Sequence, residues 1–434
     1  MEDDLREAAA HGIFDPFNEH LDHLDCIVTP NGDTILHIHV SCARVVSTNF
    51  IKQVLVNCAK LLSQENSDGN TPLHIAARHG HTDAAEKLIK QAEALHDAID
   101  IQSGEVVTKK KMAAVRDMLR KVNKKKETAL HVACSTKWKK FGSCESKEDP
   151  HFTCSANDSG ETPLYLAVDN TCTNIVAELL NNPNSQSLEY GGPDDDTVLH
   201  MAVERWDTEV VLMLLEKQSS LAAKKGRYGW TPLHLSAYEG SSSMVATLLD
   251  KDKSIASITD GTEKFTALHM AALQGFKHAM NEIISKCPDF CKLTDRRGNN
   301  ILHSAVYSQN EEVLKAILEN SSLISLIIGK DDRGNTRVHA FMALNLPLPS
   351  FIIDGDTDAF ILWKKLYYNI PKDFTIKVEN NSSQWIDNQH SLGFGISGRP
   401  SDPSIPVVDS NNLNAPISKS LSEFMETNLE DVSD

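Results

Sequence analysis

The chain has 434 residues, 41% apolar and 6% aromatic, enough for a large buried core built from aliphatic side chains rather than rings. Its 43 basic and 60 acidic residues leave a formal charge of −17, a field that disfavours nucleic acid and anionic membrane as whole-surface partners. The apolar runs Leu323–Ile328 and Phe351–Ile353 fall far short of the ~20 residues that span a bilayer. In chain order, Leu5, Ala8, Ala9 and Gly12 mark a capping helix within residues 1–30. Helical repeats follow over 31–96, opened by Thr34-Ile-Leu-His and Thr71-Pro-Leu-His. Residues 97–126 are a basic insertion with Lys109, Lys110, Lys111 and Lys124 to Lys126. Met112, Val115, Leu119 and Val122 give it an apolar stripe, so it reads as a lengthened helix packed by that stripe. A nuclear-import or nucleic-acid patch, an acidic membrane contact and a calmodulin-type target helix are the functional alternatives. Repeats resume over 127–345, the one at Thr128 losing its second helix to Trp138–Cys144. Residues 346–380 form a C-terminal cap region, with Phe360, Trp363 and Tyr367 facing the stack, and 381–434 read as a disordered acidic tail.

The repeating unit is clearest at Thr231. Thr231 is an N-cap and Pro232 suits the first helical position, where no amide is needed. Leu233, Leu235 and Ala237 recur at helical spacing, Gly240 stops the helix, and Val245, Leu248 and Leu249 mark a second helix. The same Thr-x-Leu-His core begins, with drift, at Thr34, Thr71, Thr128, Thr162, Thr197, Thr231, Thr266, Asn300 and Thr336. From Thr162 to Asn300 the steps are 35, 34, 35 and 34 residues. A period of about 33 residues carrying T-P-L-H-x-A is the ankyrin signature. The expected fold is therefore all-α, a solenoid of about nine to ten helix–turn–helix repeats with a divergent, partly disordered C-terminal tail.

Histidine occupies one equivalent position in eight repeats, and successive repeats set these side chains in a row instead of gathering them round a metal. Each can bridge its own turn and the next. The nine cysteines are scattered, and with no secretory leader visible they read as reduced thiols of a cytoplasmic protein. Cys287-x-x-x-Cys291 has no second pair at zinc-like spacing. No phosphate loop, zinc-protease or nucleophile-elbow motif is present. No catalytic residue, cofactor, metal site or small-molecule substrate is expected.

Recognition of other proteins remains. The turn before each Thr projects as a finger, and the end of each first helix borders a groove. Middle fingers are acidic, with Asp194, Asp195 and Asp196; later ones carry Arg227, Tyr228 and Trp230, then Lys264 and Phe265, Arg296 and Arg297, and Arg333. Their helix-end partners are Arg205, Trp206, Tyr238, Glu239 and Gln274. Trp, Tyr and Arg are enriched at binding hot spots, so these residues form the expected contact surface, for a partner with an acidic or mixed-charge strip. Ordinary solvated finger tips are the plainer reading for any single one of them.

Longer stretches carry a closer likeness. SDGNTPLHIAARHGH from Ser67, the insertion ending in MLRKVNKKKETALHVA, and SANDSGETPLYLA from Ser155 resemble the plant ankyrin–transmembrane family of accelerated-cell-death and salt-tolerance type proteins. The resemblance covers about Ser67 to Thr336. It implies roles in defence, cell-death or stress signalling, and a place at the cytosolic face of the plasma or endoplasmic reticulum membrane. That family's membrane segments and Pro-Gly-Gly signature are not found in this sequence. The leading expectation is thus a cytoplasmic scaffold. The alternative is the cytosolic portion of a membrane-associated protein whose spans are supplied elsewhere.

Overall fold

Each Thr-x-x-His quartet closes on itself. In the computed structural model of the chain, the threonine or asparagine amide donates to Nδ1 of the histidine three residues on, at 3.0–3.3 Å, in eight repeats. The reciprocal capping box ties the turn to the first helix and meets amide groups that a helix start leaves without partners. Proline opens three of these helices, at Pro72, Pro163 and Pro232. At Gly240 the chain takes φ +76°, and a Cβ there would lie 2.5 Å from the Phe276 ring of the following repeat. Only glycine meets both demands.

The structure describes residues 1–42, 46–100, 115–136, 155–181, 188–332, 334–343 and 348–370. Met112, the lysines at 109–111, the Trp138–Cys144 stretch, Arg333 and the tail lie outside them. Within the unit Met1–Lys377 the first helices stack side by side in one row. The row runs Asp3–His11, Ile35–Cys42, Pro72–His79, Ala129–Ser135, Pro163–Asp169, Val198–Glu204, Pro232–Tyr238, Ala267–Leu273, Ile301–Tyr307 and Arg337–Ala343. Second helices form a parallel layer, of which Thr173–Asn181, Thr208–Lys217, Ser242–Lys251, Lys277–Lys286 and Glu311–Glu319 are consecutive neighbours. The result is the expected all-α solenoid. Its core lies between the layers, where Leu214, Val245, Leu248 and Leu249 are fully buried.

Both ends depart from the regular unit. Asp3–His11 takes a place in the row of first helices without a Thr-x-Leu-His core, ending at Gly12 with φ +71°. At the other end Asp358–Asn369 packs on Glu311–Glu319 and Arg337–Ala343, as a second helix would. Its Trp363 is fully buried, edge-on to Phe341 at 5.8 Å. The insertion is helical over 115–120, with Val115 and Leu119 buried. Val122, assigned to the same stripe, is instead 45% exposed, because the helix ends before it and helical spacing no longer applies. Among the described residues no helix is long and apolar enough to cross a membrane.

Fingers are joined by single backbone bonds. The amides of Ser67, Lys124, Asp158, Arg296 and Asp332 donate to carbonyls of the preceding finger, at Asn31, Asp68, Lys125, Glu263 and Arg297. Isolated antiparallel bridges such as Gly191 with Thr197 close individual turns.

Candidate functional site

The histidine row is structural, and its bonds fix each ring's tautomer. Nδ1 accepts from the capping amide, so the proton sits on Nε2. That nitrogen donates to a carbonyl of the next finger: His37 to Asn70 at 2.8 Å, His74 to Glu127 at 2.9 Å, and His131 to Ser155 at 3.0 Å. The series continues with His200 to Trp230 and His234 to Phe265 at 3.0 Å, then His269 to Asn299 at 3.3 Å. Burial drives the imidazole pKa of His74, His131, His234 and His269 down to about 4, against the pull of those carbonyls toward the charged form.

Among the described residues two joints lack the bridge. Tyr165 replaces histidine, and its ring lies so close to Gly192 that a Cβ there would be 2.3 Å away. At the second joint Arg337 enters the interface at 1% exposure, its Nε donating to Asn300 Oδ1 at 3.0 Å. His303 Nε2 then has no hydrogen-bond partner among the described residues, and burial with the nearby guanidinium pushes His303 to about 2.

The expected contact residues divide into three groups. Trp206 is 51% exposed, in left-handed backbone at φ +58°, with Nε1 donating to Glu239 Oε2 of the next repeat at 2.9 Å. Tyr228, also left-handed at φ +61°, and Tyr238 both pack against Trp230, with ring centroids 5.9 and 5.0 Å from it. Trp230 itself is only 4% exposed, which corrects its placement as an exposed finger residue. Its indole packs against both tyrosine rings. Phe265 is half-buried, stacked on His269 at 5.9 Å, and Gln274 is half-buried at the end of its helix.

The basic residues of the second group face acidic neighbours. Arg205 donates from Nε to Asp169 at 3.1 Å and from Nη2 to the same oxygen. Arg227 pairs with Asp194, and Arg297 Nε lies 3.7 Å from Glu263. Such surface pairs are worth only about 0–1 kcal/mol each, yet they neutralise much of the positive charge read from the later fingers. Arg296 is exposed, its amide donating to Glu263 at 2.7 Å. The third group is Arg333 alone, outside the described residues.

Sequence reading missed a column. From the Thr162 to the Asn300 repeat, the fourth residue after Tyr165, His200, His234, His269 and His303 is Asp169, Glu204, Tyr238, Leu273 and Tyr307 in turn, each half-buried. Glu204 makes no hydrogen bond or ion pair among the described residues. Burial first and Asp196 second raise its carboxyl pKa, against the pull of Arg205 and Arg227. The signal lay in the register: counting from the histidine would have singled out one position per repeat. Among the described residues no three acidic, histidine or cysteine side chains converge as a metal site would require.

Comparison with known proteins agrees with this architecture. The family described as Ankyrin repeats (3 copies) matches residues 5–102, 182–260 and 253–326, more than half of the chain. Protein ACCELERATED CELL DEATH 6 of Arabidopsis thaliana is 25% identical over 159 residues, which are 36% of this chain and 22% of that protein. The match thus spans about a fifth of the length of that curated relative. Among solved structures, the ankyrin repeat domain of Bcl-3 is similar at 23% identity and a TM-score of 0.45, covering 57% of this chain and 98% of that one. The human ASB11 ankyrin repeat domain is similar at 21% identity and a TM-score of 0.41, with the same coverage.

Proposed function

The chain belongs to the ankyrin-repeat family, and from that premise we propose that it is a non-enzymatic scaffold that holds other proteins in plant defence or cell-death signalling, in the cytoplasm. One observation carries the reading. Trp206 is exposed and bonds to Glu239 of the next repeat, next in sequence to Tyr238, which with Tyr228 packs against a buried Trp230. Large amphipathic side chains on a rigid base are what a protein-binding surface needs, since little side-chain entropy is lost on contact. The partner surface is mixed in charge, because acidic and basic residues alternate along the fingers. Similarity to ACCELERATED CELL DEATH 6 supports the pathway. Free cysteines, four of them buried among the described residues, fit a reducing compartment.

Affinity capture from plant extract with the full chain tests this. Trp206→Ala combined with Arg296→Glu is expected to weaken capture at least tenfold while leaving the melting temperature unchanged, both side chains being exposed. Undiminished capture by that variant excludes the surface.

A further inference from the structure

Consecutive first helices of the Thr197 to Asn300 repeats are direct neighbours. Packed helices lie about 8–10 Å apart, and an extended chain in polyproline II conformation advances about 3.1 Å per residue with three residues per turn. Such a chain running along the stack would therefore present every third side chain to successive repeats. The column it would meet begins with the carboxylate of Glu204 and continues through Tyr238, Leu273 and Tyr307, all half-buried.

Two cations act on Glu204 from nearby, but among the described residues neither is hydrogen-bonded or ion-paired to it. Arg205, next in sequence to Glu204, is directed to Asp169, and Arg227 is directed to Asp194. Asp196 stays close enough to act on Glu204, and its Oδ1 is already engaged by the Arg227 amide at 2.9 Å. An incoming lysine or arginine would find a partly desolvated carboxylate whose neighbouring arginines are bonded to other acids, whereas an acidic side chain would meet two carboxylates. Beyond it Tyr238, Leu273 and Tyr307 offer apolar surface without a net charge.

Resting on the scaffold reading above, we infer that this face receives an extended segment of a partner protein, in which a lysine or arginine pairs with Glu204 and apolar side chains follow at about every third residue, over Tyr238, Leu273 and Tyr307. The segment needs no α-helical structure of its own; polyproline II supplies the three-residue period. Its basic end lies toward the N-terminal repeats, and its apolar end over the Asn300 repeat.

Selection of random twelve-residue peptides displayed on phage, with the full chain as bait, tests the inference. Enriched peptides should share a Lys or Arg with aromatic or aliphatic residues three and six positions away. Glu204→Gln should bind a selected peptide about tenfold more weakly, the usual consequence of losing a charged hydrogen bond. Peptides whose basic residue is replaced by glutamine should bind wild type and Glu204→Gln alike. Leu273→Ala should weaken binding independently, and a melting curve on each variant reports whether it folds. Acidic consensus peptides, absence of any enrichment, or equal binding by Glu204→Gln would overturn the inference. None of these bears on capture through Trp206 and Arg296, so the scaffold reading stands or falls by its own experiment.

Discussion

Between pH 6.5 and about 4 the solenoid is expected to lose most of its stability and unfold. Four buried imidazoles, those of His74, His131, His234 and His269, have folded pKa values near 4, against about 6.5 for the unfolded chain. A group whose folded pKa is the lower binds fewer protons when folded. Its contribution is complete above pH 6.5 and disappears as pH falls toward 4. At about 1.4 kcal/mol per pH unit, each ring contributes on the order of 3 kcal/mol, and four together are comparable to the roughly 5–15 kcal/mol of a whole domain. Chemistry explains the size. Protonating Nδ1 removes the acceptor of the capping amide and leaves a charge in the layer between two repeats. Asp260 and Asp295, with carboxyl pKa values raised by burial, act in the opposite direction and blunt the loss. Urea midpoints from far-ultraviolet circular dichroism, taken between pH 7 and 4.5, measure the slope. A midpoint independent of pH over that range would contradict the neutral, doubly bonded histidines.

Leu248→Ala is expected to cost about 2–5 kcal/mol, the range for a large-to-small change at a packed site. Leu248 is fully buried in Ser242–Lys251, whose neighbours in the second-helix layer are Thr208–Lys217 and Lys277–Lys286. Truncation opens a cavity facing both, and in a stacked array the damage weakens two interfaces at once. Val56→Ala, at a residue 70% exposed, is the control and should change stability by less than about 0.5 kcal/mol. Thermal melts of the two variants that coincide would contradict the assigned inward face.

The fold was legible because its determinants are local. A capping threonine, a histidine three residues on and leucines at helical spacing specify the helix pair within one short stretch, and the period then dictates stacking. Placement across repeats was harder to read. Arg227 meets Asp194, 33 residues away, only because one finger lies over the next. Trp230 sits at a finger position, yet side chains from its own repeat pack against the indole. Nothing in the sequence singles out Glu204, since whether it is ion-paired depends on where Arg205 and Arg227 turn. His303 matches the pattern by sequence but loses its bridge to Arg337, a residue of the following repeat.

The links from the capping imidazoles to carbonyls run in one direction, each ring gripping the repeat that follows, and among the described residues they are missing where Tyr165 and His303 stand. Load applied along the stack would therefore concentrate at two seams, dividing the array into three cassettes. The middle cassette, from Thr197 to Asn300, carries Glu204, Tyr238, Leu273 and Tyr307 together, so their relative spacing survives when either seam yields.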